Sequence, residues 1–189
     1  MAMHELQIDP ARAALVIVDV QERLFGVMPE EPRGQLLRNV RILVELARRL
    51  GLPVVVSEQY PRGLGPTVAE INEMLGGVTP FRLEKAEFSV AAAPAWAEIG
   101  KALGRDQIVV TGMETHVCVY QTVRDLCAGG ATVHVPADAV ISRTAENRRI
   151  GLDLIERAGG VVTSTEVVVF DALGKAGTED FRALSRLIK

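Results

Sequence analysis

The sequence predicts a doubly wound α/β fold: three layers, α/β/α, around a mostly parallel sheet of five or six strands. Three observations carry that expectation. Short β-branched runs recur along the 189 residues. Each run is continuously apolar, as strands are when both faces of a sheet are covered. Helical patterns separate one run from the next.

The first run, ALVIVDV within 13–20, closes on Asp19 and Val20. Before the second, PVVVSE at 53–58, Leu36, Val40, Leu43, Val44, Ala47 and Leu50 recur on one helical face. Arg38, Arg41, Glu45, Arg48 and Arg49 fall elsewhere on that helix, and Gly51 stops it. Strand, helix and strand make a βαβ unit. The interval 58–106 is too long for one crossover. It holds GPTVAEINEML, where Thr67 and Glu70 have capping-box spacing for a short helix. TPFRLEKAEFS then supplies a third strand and an irregular loop, and a helix containing Trp96 and Ile99 follows. QIVVTG at 107–112, ATVHVP at 131–136 and GVVTS at 160–164 complete the strands, with helices expected over 116–129, 144–158 and 179–188. No repeat, low-complexity tract or linker divides the chain, so residues 1–189 form one domain.

Composition narrows the partners. Hydrophobic residues make up 48% and charged residues 24%, and the mean hydropathy is +0.20, the apolar end of the globular range. The surplus apolar surface suits a homo-oligomer. A net charge of -3 with both signs interspersed leaves no electrostatic footprint for nucleic acid or an anionic membrane. The N-terminus has no basic n-region, and its apolar run of about five residues is too short for a signal peptide or a spanning helix. The expected location is the cytoplasm. Two cysteines make no disulfide framework. On one helix, Cys118 and Cys127 would lie roughly 13 Å apart, beyond disulfide reach.

In doubly wound sheets, including the Rossmann-like order 3-2-1-4-5-6, function gathers at the carboxyl ends of strands where the order reverses. With QIVVTG as strand four, Asp19 ends strand one and the loop carrying Cys118 leaves strand four beside it. Lys85 sits at or just beyond the end of strand three, on the same edge. On a helix over 116–129 the apolar stripe is Val119, Val123, Leu126 and Cys127, which assigns Cys127 to the core. Gln121, Thr122 and Asp125 follow Cys118 on a polar face. Cys118 therefore falls in the first turn, where unpaired N–H groups and the helix dipole favour a thiolate.

Each residue also has a plainer reading. A free cysteine is commonly a buried apolar side chain, a strand-end aspartate can cap a turn, and a lysine in RLEKAEF can be a solvated charge. Together the three are complementary. A carboxylate accepts the thiol proton, an ammonium stabilises developing negative charge, and the thiolate attacks an electrophilic carbon.

The same pieces resemble the isochorismatase-like cysteine hydrolases, the superfamily that includes nicotinamidases and N-carbamoylsarcosine amidohydrolases. The resemblance rests on ALVIVDVQERL with Asp19 and Gln21, KAEFS with Lys85, VTGMETHVCVYQTVRDL with Cys118, and the following GATVHVPADAVISR. It implies an Asp-Lys-Cys triad: Asp19 as general base, Lys85 orienting and stabilising charge, and Cys118 as nucleophile. It also implies a cis peptide between Met113 and Glu114, with the backbone N–H groups of Glu114 and Cys118 as oxyanion donors. Gln21, Phe25, Tyr60 and Met113 are candidate contacts for a small-molecule substrate. For Phe25 and Tyr60, packing or a subunit interface is an equal alternative.

The departures are informative. Metal-binding nicotinamidases carry an Asp-x-His segment and a second histidine after strand two. SEQYPRGLGPT has no histidine there, and His4, His116 and His134 are scattered. The expectation is no metal and no cofactor. His116 can contact substrate or simply serve the first turn or an interface. GLG at 63–65 lacks the lysine of a P-loop and reads as a turn, and no G-x-S-x-G element is present. Within the superfamily, vinyl-ether hydrolysis by an acid-base route is the enzymatic alternative to amide cleavage. A fold-retaining assembly or redox-sensing protein is the non-enzymatic one.

Overall fold

The computed structural model describes residues 6–189. In chain order its elements are β1 (Ala13–Val18), α1 (Glu22–Gly26), α2 (Glu30–Leu50), β2 (Val54–Gln59), α3 (Pro61–Leu64), α4 (Ala69–Met74), β3 (Phe81–Lys85), α5 (Trp96–Leu103) and β4 (Gln107–Met113). A π-helical turn (Thr115–Val119) leads into α6 (Tyr120–Ala128). Then come β5 (Thr132–Pro136), a 3-10 turn (Ala137–Ala139), β6 (Val140–Ile141), α7 (Ala145–Arg157), β7 (Val161–Thr163), α8 (Thr165–Leu173) and α9 (Glu179–Ile188).

The sheet has the order β3-β2-β1-β4-β5-β7, with β6 pairing β4 off that path. Every ladder is parallel. The doubly wound expectation holds, with the reversal between β1 and β4. The seventh strand, β6, exceeds the expected number because two residues matched to Gly112 and Met113 make no run visible in sequence. The unbroken apolar run of β1 is explained by two cores. Ala13, Leu15 and Ile17 pack in one layer with side chains from α2, α8 and α9. Ala14, Val16 and Val18 pack in the other with α5, α6 and α7. Burying both sides is worth roughly 25 cal/mol per Å² of apolar surface, which leaves no position along the strand for a polar side chain.

α2 buries Leu36, Val40, Leu43, Val44 and Ala47 as its stripe predicts. It also buries Asn39, whose amide is satisfied by the Asp138 carbonyl at 2.5 Å. Gly51 closes the helix at φ 70°, a conformation that costs glycine little.

Three local expectations change. Thr67 does not form a capping box with Glu70. Its N–H and hydroxyl both donate to Glu58 Oε1, at 2.7 and 2.6 Å, and α4 begins at Ala69 without a side-chain cap. A charged acceptor from the neighbouring strand outcompetes the local partner. α8 was not expected from its β-branched TEVVVF, yet its start is secured twice. Ser164 Oγ accepts from Val167 N–H, and Asp138 Oδ1 accepts from both the N–H and the hydroxyl of Thr165. The helix expected over 116–129 opens as the π turn. This shifts its phase, so Cys118 is buried and packed with Val119 and Val123, whereas Cys127 is only half-buried at the edge of the same core.

Candidate active site

Parallel register brings four strand ends into one row. Val18 lies level with Ser57 of β2 and with Gly112 of β4, and Gln59 lies level with Lys85 of β3. Asp19 is therefore the first residue beyond β1, with Lys85 closing β3 two strands away. Asp19 and Tyr60, the first residues past β1 and β2, both adopt left-handed backbone, at φ 51° and 39°. Few non-glycine residues do so, and such strain clusters at functional sites.

The side chains of Asp19 and Lys85 are fully buried and form an ion pair, Nζ to Oδ2, at 2.7 Å. The other carboxylate oxygen of Asp19 accepts from the Ser57 hydroxyl at 2.7 Å. Lys85 Nζ also donates to Gln59 Oε1 at 2.7 Å and to the carbonyls of Phe88 and Glu87 at 3.0 and 3.2 Å. An ammonium carries three protons, so these four oxygens occupy it fully. It acts on the site through its charge and through Asp19.

Cys118 comes to the same place from β4. The Met113–Glu114 peptide is cis, and the Glu114 carbonyl accepts from both Val117 and Val119 N–H, at 3.0 and 3.2 Å. Two glycines let this turn sit close to its neighbours. At φ +117°, a Cβ on Gly112 would fall onto the Val18 carbonyl, and a Cβ on Gly151 of α7 would lie 2.7 Å from His116 N. Cys118 is 5% exposed. Burial pushes its thiol well above the ordinary range, and the Asp19 carboxylate adds to that, partly offset by Lys85. The expectation of a thiolate favoured at a helix mouth is thus corrected. In this short turn, burial and the Asp19 carboxylate both favour the protonated thiol.

The four candidate contacts separate. Gln21 is buried, and its amide is spent on backbone: Nε2 donates to the carbonyls of Gln59 and Gly65, and Oε1 accepts from Gln59 N–H. Met113 is buried in the layer opposite Cys118. Phe25 packs against that same layer beneath the Arg33 guanidinium. Tyr60 is 61% exposed and adjoins Lys85 through its N–H. Sequence reasoning missed Ser57 and Gln59, although both occupy the β2 end that the strand pattern already placed on this edge. Glu114 was expected to contribute its N–H alone, but its buried carboxylate also accepts from the N–H and Nε of Arg143, each at 3.1 Å.

His116 Nδ1 lies 3.1 Å from Ser142 Oγ. His134 is buried in β5, where burial lowers its pKa against the opposing pull of Asp171. His4 lies outside the described residues. Among the described residues, no three His, Cys, Asp or Glu side chains gather in an arrangement suited to a metal ion.

The family model of the isochorismatase domain matches residues 13–167. The chain belongs to the isochorismatase family. Its relatives include a secreted isochorismatase effector of Phytophthora sojae, 35% identical over 95% of this chain and 86% of that protein. Isochorismatase domain-containing protein 1 of Salmo salar is 36% identical over 95% of this chain and 62% of its own length, so the chain spans less than two thirds of the salmon protein. Among solved structures, the MAR1 ribonuclease of Caenorhabditis elegans aligns with a TM-score of 0.87 at 34% identity, covering 96% of this chain and 92% of that one. YcaC of Escherichia coli, described as an octameric hydrolase of unknown specificity, aligns at 0.86 over 96% and 90% of the two chains. At 21% identity it shows the shared fold. Membership places the chain among the isochorismatase-like hydrolases. One relative is described as secreted, and no described helix is long and apolar enough to cross a membrane.

Proposed function

We propose that the chain is a metal-independent cysteine hydrolase that cleaves a carboxamide or related C–N bond of a small molecule. The observation that supports this most is the meeting of the Cys118 thiol with the buried Asp19–Lys85 pair at the reversal point of a parallel sheet. Asp19 removes the thiol proton as Cys118 Sγ attacks the carbonyl carbon. The backbone N–H groups of Glu114 and Cys118 hold the oxyanion. Collapse breaks the C–N bond, and protonated Asp19 gives its proton to the departing amine. Water, deprotonated by Asp19, then attacks the thioester and releases the acid, and the proton returns to Cys118. Because the resting sulfur is a thiol, proton transfer accompanies attack. Lys85, with every proton already directed at oxygen, keeps negative charge favourable without touching substrate. Tyr60, exposed next to Lys85, stands at the rim where substrate enters.

The family name keeps a second reading in play: hydrolysis of a vinyl ether, with Asp19 as acid and Cys118 dispensable. Turnover of a panel of small amides and of isochorismate separates the two. Amide turnover lost in Cys118→Ala supports the first reading. Isochorismate turnover that survives the substitution replaces it. The ribonuclease name of the nematode protein is not carried over, because a net charge of -3 with both signs interspersed along the sequence gives no overall electrostatic pull toward RNA. A homo-oligomer in the cytoplasm completes the reading. Its support is the exposed apolar surface of Ile150, Val162, Val167 and Phe170 together with the octameric description of YcaC. Light scattering that returns a monomer mass would remove the oligomer.

A further inference from the structure

We infer that Gln59 is a positioning residue: its side-chain oxygen holds the Lys85 ammonium against Asp19, and Gln21 in turn holds Gln59. Neither resemblance to a family nor the triad itself assigns this role. The inference rests on the reading of Asp19, Lys85 and Cys118 as the reacting groups.

The two glutamines form a directed relay. Gln21 clamps the Gln59 backbone from both sides, accepting from its N–H at 2.7 Å and donating to its carbonyl at 3.0 Å. A third bond, from Gln21 Nε2 to the Gly65 carbonyl at 2.7 Å, fixes the other end of the clamp. The Gln59 side chain is then locked in one orientation. Its Nε2 donates to the Ala86 carbonyl at 2.7 Å, which leaves Oε1 to accept from Lys85 Nζ at 2.7 Å.

Amide chemistry is what this position requires. Among the described residues Lys85 has one carboxylate partner, Asp19, so the buried pair is neutral. Its remaining acceptors are the neutral oxygens of Gln59, Glu87 and Phe88. A neutral acceptor at position 59 orients the ammonium without competing for its charge. A carboxylate there would draw the ammonium from Asp19 and bring a second negative charge toward Cys118. An aliphatic side chain would remove one of the two 2.7 Å acceptors and leave the ammonium with Asp19 and the longer contacts to Phe88 and Glu87.

A charge transfer between the two positions tests the relay. Asp19→Asn, Gln59→Glu and the double variant are compared by thermal unfolding. Asp19→Asn should lower Tm because the buried ammonium loses its counter-ion. The double variant, with the carboxylate moved to position 59, should recover at least about half of that loss, as coupled neighbours do in a double-mutant cycle. If Asp19→Asn yields no folded protein, folded protein from the double variant is the same result. In parallel, Gln59→Glu alone should slow Cys118 alkylation by iodoacetamide at least about threefold at a given pH, the effect of a half-unit shift in the thiol. Cys127→Ser serves as the background so that one thiol reports. A residue that merely fills space at position 59 would show no rescue and leave the alkylation profile on that of the parent. Either result overturns the inference. Failure of the amidase reading would instead appear as absent turnover with the rescue intact, because Tm reports the ion pair and not the thioester.

Discussion

The Cys118 turn and the Asp19–Lys85 pair occupy nearby strand ends, but shape holds the first and hydrogen bonds hold the second. Around Cys118 the decisive contacts are backbone against backbone, at Gly112 beside Val18 and at Gly151 beside His116. Around Asp19 they are buried polar atoms: the Ser57 hydroxyl, the Lys85 ammonium and the Gln59 amide. One methyl group should therefore disable the nucleophile's side of the site, whereas losing one polar atom should disable the base's side. A nucleophile needs a fixed place, and a base needs a fixed charge environment.

The largest effect is expected at Gly112→Ala. The new Cβ meets the Val18 carbonyl, and φ +117° is unsuited to alanine. Strain and overpacking together should cost about 3 kcal/mol or more, read as a lowered urea midpoint or as failure to fold. Gly151→Ala should cost about 1–3 kcal/mol. It should also speed Cys118 alkylation by lifting the turn away from α7. On the other side, Ser57→Ala removes the donor to Asp19 Oδ1 while keeping the backbone. About 1.5–3 kcal/mol is expected for a lost hydrogen bond to a charged group, with Cys118 alkylated at the parent's rate. A Gly151→Ala protein that alkylates at the parent's rate would erase the distinction between the two sides.

A change of pH leaves the fold in place and tests the thiol alone. With its pKa raised by burial and by Asp19, Cys118 should remain a thiol through neutrality. Its alkylation rate should climb about tenfold per pH unit from about pH 7 to beyond about pH 9. A plateau below pH 8 would mean a preformed thiolate and would return the helix-mouth expectation.

How much of this was legible in the sequence follows the same division. Unbroken runs placed β1, β2, β4 and β5, because burial on two faces leaves its mark on every residue. Strand ends then located Asp19, Lys85 and the loop to Cys118. The π turn was not legible, since THVCV carries no signal for an altered helical period. Helical phase consequently assigned Cys127 to the core and Cys118 to a polar face, close to the reverse of their observed burial. Nor was the polar network legible. Ser57 and Gln59 lie in a strand whose apolar pattern hid them, and nothing in the sequence marks Gln21 as an anchor for distant backbone. Side-chain partners far apart in sequence, such as Thr67 with Glu58 or Thr165 with Asp138, overrode local propensity for the same reason.

The most direct test is to locate an acyl group on the protein. Wild type and Cys118→Ala are mixed with turned-over amides, quenched in acid and mapped by peptide mass spectrometry. The expected result is the acyl mass on the peptide holding Cys118, none on Cys127, and neither adduct nor turnover in Cys118→Ala. Full turnover by Cys118→Ala, or an adduct confined to Cys127, would contradict a Cys118 nucleophile.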